Sequence, residues 1–365
     1  MKQFDGESRY PHTNSVQTQG RVSKLTDKSS ATRCEEQHDK SILTNTGEAL
    51  SSIPTNKEPS RPTVAVLMCT KDGDRFLNEQ LDSIQAQKGV AIQLYVSDDG
   101  STDNTLNILA EHQQGWDNGH FSVCQGPKAG YAANFLSLVC NSAIQANYYA
   151  FADQDDIWET DKLAVAIEKL AGIPPETPAL YCSRTRLIDE KGLETGFTPL
   201  YRRAPSFANS LVQSLSGGNT MVFNAAARSL LCAAGKPQIV SHDWWAYSLV
   251  TGAGGTVIYD PEPRIRYRQH DQNVLGASPG LKAARLRISL IMKGYFKNWN
   301  TINTAALSQA RELLTPDNQR ILDNYSAARQ CWLIPRVLGV WQSHVYRQTH
   351  IGNLGLAVAV LLNRI

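Results

Sequence analysis

The chain has no cysteine framework. Its seven cysteines (Cys34, Cys69, Cys124, Cys140, Cys182, Cys232 and Cys331) are scattered, odd in number and never spaced C-x-x-C. That pattern argues against a disulfide-stapled scaffold and against a cysteine zinc site; it predicts reduced thiols in a cytoplasmic protein. Long apolar runs are missing too. No window reaches the roughly 18 apolar residues of a spanning helix. The most apolar stretch, IGNLGLAVAVLLNRI, is short and interrupted by Asn353 and Asn363. The first residues, MKQFDGESRYPHTNSVQTQG, lack the apolar segment of a signal peptide. Charge of one sign is also lacking. The formal net charge is only +2, so no global field points to nucleic acid. No G-x-x-x-x-G-K-[ST], no G-x-G-x-x-G after the first strand and no H-E-x-x-H occurs, which argues against a P-loop kinase, a dinucleotide oxidoreductase and a zinc peptidase. No internal repeat or charged low-complexity tract is visible.

What is present is an ordinary globular composition, 42% hydrophobic in 365 residues, sufficient for one large or two small domains. Residues 1–61 are rich in Ser, Thr, Gln, Asn and Lys, and read as a disordered or loosely ordered tail. Order begins at TVAVLMCT (63–70), a continuous apolar run of the kind that forms a strand buried on both faces. Phe76, Leu77, Leu81 and Ile84 then recur at helical spacing. VAIQLYVSDDG, FSVCQG and YYAFADQDD read as further strands, with helices over STDNTLNILAEHQQ, GYAANFLSLVCNSA and DKLAVAIEKLAG. This alternation predicts βαβ units and a mainly parallel sheet flanked by helices. Between 179 and 275, ALYCSRTRLID, NTMVFN, GTVIYD and RIRYRQH are strand-like, and DWWAYSLVTG is helical. Residues 276–365 form a basic, helical C-terminal extension.

Polar residues collect where strands end: Thr70 to Asp72, Asp98 and Asp99, and Asp153 to Asp156. In open α/β sheets, ligands bind at the carboxyl ends of strands, so these sites should converge on one crevice. The last of them, FADQDDIWETDKL, places five acidic residues within nine positions. Like charges packed so closely need a cation or must neutralise. Hard oxygen donors suit Mg²⁺ or Mn²⁺, with a nucleotide diphosphate completing the shell. The plain alternative is a solvated acidic loop or a helix cap.

Taken together, VSDDGSTDNT, FADQDDIW, SHDWW and YRQHDQN resemble the family 2 glycosyltransferases, and most closely their bacterial rhamnosyltransferase-like branch. The resemblance covers about residues 62–275. It implies a GT-A (Rossmann-like) catalytic domain with a nucleotide-binding half (62–175) and an acceptor-binding half (176–275). It also implies an inverting, metal-dependent transfer of a sugar from a nucleotide-diphosphate donor, with rhamnose from dTDP-rhamnose as the expected case. The acceptor would be a cell-surface glycan or lipid-linked oligosaccharide of the bacterial envelope. Thr70, Asp72, Asp98, Asp99 and Asp153 match the nucleotide-contacting positions; the family's Thr-Tyr-Asn is Thr70-Lys71-Asp72 here. Lys128, Asn134, Asp155, His270 and Asn273 match positions at the donor sugar or diphosphate. Asp155, Asp156 and His270 match the metal site, the DXD-type motif, and would hold Mg²⁺ or Mn²⁺. Asp243 matches the general base, with an N-cap of its helix as the plain reading. Gly217, Gly218, His242 and Trp244 fall on the acceptor side, although Trp244 and Trp245 also suit a core. Arg266 and Arg268 are further candidates for phosphate contact. Two rival readings stay open: a UDP-hexose donor, or a catalytically silent nucleotide- or glycan-binding assembly partner.

In the C-terminal region Lys282, Arg285, Arg287, Lys293 and Lys297 interleave with Leu286, Ile288, Leu290, Ile291, Tyr295 and Phe296. Such a helix can lie on an anionic membrane, making the protein peripheral on the inner face of the plasma membrane. Alternatively it packs on the catalytic domain or in a homodimer.

Overall fold

The structure, a computed structural model, describes residues 61–270 and 293–365. The expected tail, Asn273 and the basic segment around 282–291 lie outside the described residues.

Strand β1 (Thr63–Thr70) is followed by α1 (Leu77–Gln85), β2 (Ala91–Asp98), α2 (Thr105–Gln114), β3 (His120–Gln125), α3 (Tyr131–Val139) and β4 (Tyr148–Ala152). Next come the short β5 (Ile157–Trp158), α4 (Lys162–Leu170), β6 (Ala179–Ser183), β7 (Arg186–Ile188), β8 (Glu194–Phe197), α5 (Phe207–Ser210) and β9 (Val222–Asn224). The remaining elements are α6 (Ala225–Ala233), α7 (His242–Gly252), β10 (Thr256–Asp260), β11 (Ile265–Arg268), α8 (Tyr295–Gln309), α9 (Pro316–Gln330), α10 (Leu333–Gln342) and α11 (His350–Leu361).

Seven strands form one sheet in the order β10-β6-β9-β4-β1-β2-β3. β1 pairs in parallel with β2 and β4, β2 with β3, and β10 with β6. β9 alone runs antiparallel, between β4 and β6. The apolar run of β1 is continuous because helices cover both faces of the sheet. Ala65 and Leu67 turn toward a cluster built with α3, α6 and α7, including Phe135, Leu231 and Trp245. Val64, Val66 and Met68 turn the other way, onto Leu77, Leu81, Ile84 and Leu163 from α1 and α4. Alternation along a strand buried on both sides leaves no polar position to interrupt the run.

A smaller sheet, β5-β11-β7-β8, lies at the end of the acidic segment. Here the sequence misled. ALYCSRTRLID looks like one strand, but β6 belongs to the large sheet and β7 to the small one. The chain changes sheet at Arg184, whose N–H donates to the Asp260 carbonyl at 2.9 Å.

The C-terminal helices α8 and α9 share the main core. Phe296, Ala306, Leu307, Leu322 and Tyr325 join the cluster that holds Trp245 and Leu249. YFKNW and TAALSQ belong to one helix, α8, rather than two separate pieces. The cysteines among the described residues are free thiols, and no helix among those residues is long and apolar enough to cross a membrane.

Candidate active site

The chain runs β1 to β2 to β3 outward on one side, then returns to place β4 on the other side of β1. A crevice opens where the order reverses. Register brings the predicted residues to it: Thr70 stands opposite Asp98, and Met68 opposite Ala152, the residue before Asp153.

At the β1–β2 side, Asp98 is buried and holds the loop that follows it. It accepts from Thr70 Oγ1 at 2.9 Å, from Gly100 N at 3.0 Å and from Ser101 N at 2.8 Å. Asp99 is half-buried and accepts from the backbone N–H groups of Lys128 (2.6 Å) and Gly130 (3.3 Å). Asp72 has a left-handed backbone, φ +46°, and accepts from Thr102 N at 2.7 Å. That bond, with the Lys71 ammonium beside it, lowers the Asp72 pKa. Lys71 bonds the Gly100 carbonyl. Asn134 is fully buried and exchanges two bonds with Ser97: it accepts from Oγ at 2.6 Å and donates to the carbonyl at 2.9 Å. Lys128, at φ +55°, lays its chain along Gly100.

The acidic segment is fixed from several directions. Gln154 brackets the Lys71 peptide, accepting from its N–H at 2.8 Å and donating to its carbonyl at 3.0 Å. Asp155 Oδ2 lies 2.7 Å from His270 Nε2, and the side chain of His270 is only 8% exposed. Asp156 is wholly buried. Its Oδ2 accepts from Asn219 Nδ2 at 2.7 Å and its Oδ1 from Arg268 N at 3.2 Å. Burial, then the charges of Asp155 and Asp153, push its pKa well up. Asp153 is pushed up to about 7 by burial and by the carboxylates of Asp155 and Asp243. The buried Lys162 ammonium opposes this rise. Its Nζ has no hydrogen-bond partner and sits 3.2 Å from the Trp158 ring centroid.

Asp243 projects from the first turn of α7, where its Oδ1 accepts from Trp244 N at 2.7 Å. The N-cap is Ser241, so Asp243 is a first-turn residue of the helix and not its N-cap. Trp244 and Trp245 are both core residues, and the Trp244 indole N–H donates to the Ser210 carbonyl. His242 is buried and stacked on Phe135 with ring centroids 3.7 Å apart. Neither of its ring nitrogens has a partner, and burial lowers its pKa to about 4. Gly218 lies against its Nε2, where any Cβ would collide. Gly217 lies against Asn219 in the same way.

Not every candidate reaches the crevice. Arg266 pairs with Glu159 at 2.9 Å. Arg268 is 1% exposed and spans Glu79, the Glu190 carbonyl and the Asp155 carbonyl. These arginines build the wall instead of reaching out for phosphate. Sequence reasoning missed Gln154, Lys162 and Asn219, each of which touches or charges the acidic segment.

The residues present fit a divalent cation. Among the described residues no three His, Cys, Asp or Glu side chains converge as a self-contained metal cage. Asp155 and His270 offer an oxygen and a nitrogen at one rim, and the carboxylates crowded around Asp153 call for positive charge. Magnesium-type sites are commonly completed by water and substrate phosphate, which suits a partial donor set.

A mainly parallel sheet with helices on both faces and carboxylates gathered at its carboxyl edge is a GT-A-like arrangement. Residues 65–227 match the model of glycosyl transferase family 2, so the chain carries a domain of that family and is a glycosyltransferase. It is 29% identical over 280 residues to the dTDP-rhamnosyl transferase RfbG of Shigella flexneri, covering 74% of this chain and 94% of that protein. That similarity agrees with the rhamnosyltransferase-like branch. The putative teichuronic acid biosynthesis glycosyltransferase TuaG of Bacillus subtilis (strain 168) is 26% identical over 108 residues, 30% of this chain and 42% of that one. Among solved structures, the mannosyltransferase PcManGT of Pyrobaculum calidifontis, in complex with GDP-Man and Mn²⁺, aligns with a TM-score of 0.45 at 17% identity, covering 85% of this chain and 89% of that one.

Proposed function

We propose that the protein is an inverting, metal-dependent glycosyltransferase that moves rhamnose from dTDP-rhamnose to a cell-surface glycan or lipid-linked oligosaccharide. The observation that carries the reaction type is the convergence on Asp153 of Asp155, from the same segment after β4, and Asp243, on α7, both close enough for their charges to act on it. The named activity of the Shigella flexneri relative supports the donor.

Asp243 takes the proton of the acceptor hydroxyl while that oxygen forms its bond to the anomeric carbon. The bond from that carbon to the diphosphate breaks on the opposite face, and the nucleoside diphosphate leaves. One displacement inverts the centre. A divalent cation, when bound, compensates the charge on the departing diphosphate. Asp155 and His270 would hold it, with Asp156 anchoring the segment through Asn219 and the Arg268 backbone. Thr70, Asp72 and Asp99, with Lys128, line the nucleotide side, while Asp98 and Asn134 keep its loops in shape. Gly217, Gly218 and His242 line the acceptor side next to Asp243.

The test is donor consumption by the purified chain with dTDP-rhamnose, UDP-glucose, UDP-galactose and UDP-N-acetylhexosamines, each with Mn²⁺ and with a chelator. Metal-dependent turnover of dTDP-rhamnose alone is the expected result. Turnover of a UDP-hexose instead would replace the donor. No turnover of any donor, with nucleotide still raising the melting temperature, would identify a silent binding protein.

A further inference from the structure

Helices α10 and α11 each expose an apolar face, and α10 buries its one charged residue. The arginine of α10, Arg336, is 6% exposed. It donates Nε and Nη2 to the Cys331 carbonyl and Nη1 to the Val360 carbonyl at 3.1 Å, tying α10 to α11. The residues turned outward are apolar. On α10 they are Ile334, Leu338 and Trp341, the last 74% exposed, with Trp332 just before the helix. On α11 they are Ile351, Leu354, Val358 and Leu361, with Ile351 82% exposed. Steps of three and four residues place each set on one helical face. Single exposed apolar residues are ordinary; an apolar stripe on each of two joined helices marks an interaction surface.

Charge selects the occupant. From residue 324 to the last residue, 365, the sequence has four arginines (Arg329, Arg336, Arg347 and Arg364) and no aspartate or glutamate. Arg336 is buried against backbone carbonyls, and Arg329, Arg347 and Arg364 are half-buried, so the segment holds positive charge with no carboxylate of its own to neutralise it. An anionic lipid surface supplies the opposite charge, and exposed tryptophans suit the headgroup boundary. The helices have 10 and 12 residues, too short to span a bilayer, so they would lie on it. We propose that the exposed faces of α10 and α11 rest on an anionic membrane surface and hold the enzyme there as a peripheral protein.

The test is co-sedimentation of the full chain with vesicles of phosphatidylcholine alone and of phosphatidylcholine mixed with phosphatidylglycerol, at low and high salt. Two double variants, Leu338→Gln with Trp341→Ser and Ile351→Gln with Leu354→Gln, probe the helices separately. All four side chains are exposed, so melting temperature and donor consumption should hold. The expected result is binding to the anionic vesicles that salt weakens and that each double variant weakens at least about tenfold. Absence of binding at low salt, or binding that neither variant weakens, overturns the proposal. Light scattering that shows a dimer dissolved by the same substitutions would replace the membrane with a second copy.

Discussion

Asn219 and Asp156, 63 residues apart, form a buried hydrogen bond of 2.7 Å from amide to carboxylate. It joins the turn before β9 to the acidic segment after β4, and so joins the proposed acceptor side to the proposed donor side. Asn219→Ala leaves a buried carboxylate oxygen without a donor. Removing such a partner costs about 1–3 kcal/mol. We expect the unfolding free energy from urea titration to fall by that amount, and donor consumption to fall with it as Asp156 shifts. A variant as stable as the parent would mean that the bond contributes nothing.

Asp243→Asn keeps the size and the hydrogen-bonding side chain of the first turn of α7 but removes the proposed base. A positioned general base contributes roughly 10²- to 10⁴-fold, and kcat should fall within that range. Nucleotide-dependent stabilisation should persist, because the nucleotide side of the crevice is untouched. Near-full transfer by the variant would move the base elsewhere.

Two glycines separate the halves of the site. A Cβ on Gly73 would meet the Gln154 amide, which brackets the Lys71 peptide. A Cβ on Gly218 would meet the His242 ring, next to Asp243. Gly73→Ala should therefore raise the donor KM several-fold with little change in acceptor KM. Gly218→Ala should do the reverse. Steady-state kinetics with each substrate varied in turn distinguishes the two patterns.

The strand ends that build this crevice were legible because three separate signals coincide at each one. An apolar run stops, polar residues follow, and a helical period begins. TVAVLMCT became β1 residue for residue. The supporting residues were not legible, because each works through a partner far away in sequence. Gln154 matters through Lys71, and Asn219 through Asp156. Lys162 reads as an ordinary first-turn lysine of DKLAVAIEKL, yet it is buried over Trp158 beneath the acidic segment. Helix α11 was hidden for a different reason. On α11 apolar residues lie on both the buried and the exposed face, so no polar stripe marks its period.

His242 makes the stability of the fold depend on pH. Burial among Phe135, Phe151 and Tyr131 disfavours its cation and lowers its pKa from 6.5 to about 4, with the Asp243 charge only partly opposing. Above pH 6.5 the imidazole is neutral in both the folded and unfolded chains, and its contribution to stability is fully present. As pH falls from 6.5 toward 4, the unfolded chain takes up a proton that the folded one refuses, and stability is lost. The loss at pH 5 relative to pH 7.5 should be about 2 kcal/mol from this group. His242→Gln cannot titrate, so urea unfolding of parent and variant at the two pH values isolates the histidine from the carboxylates nearby. The parent should lose about 2 kcal/mol more than the variant on acidification. Equal losses would mean that the ring takes up its proton in the folded state as readily as in the unfolded one.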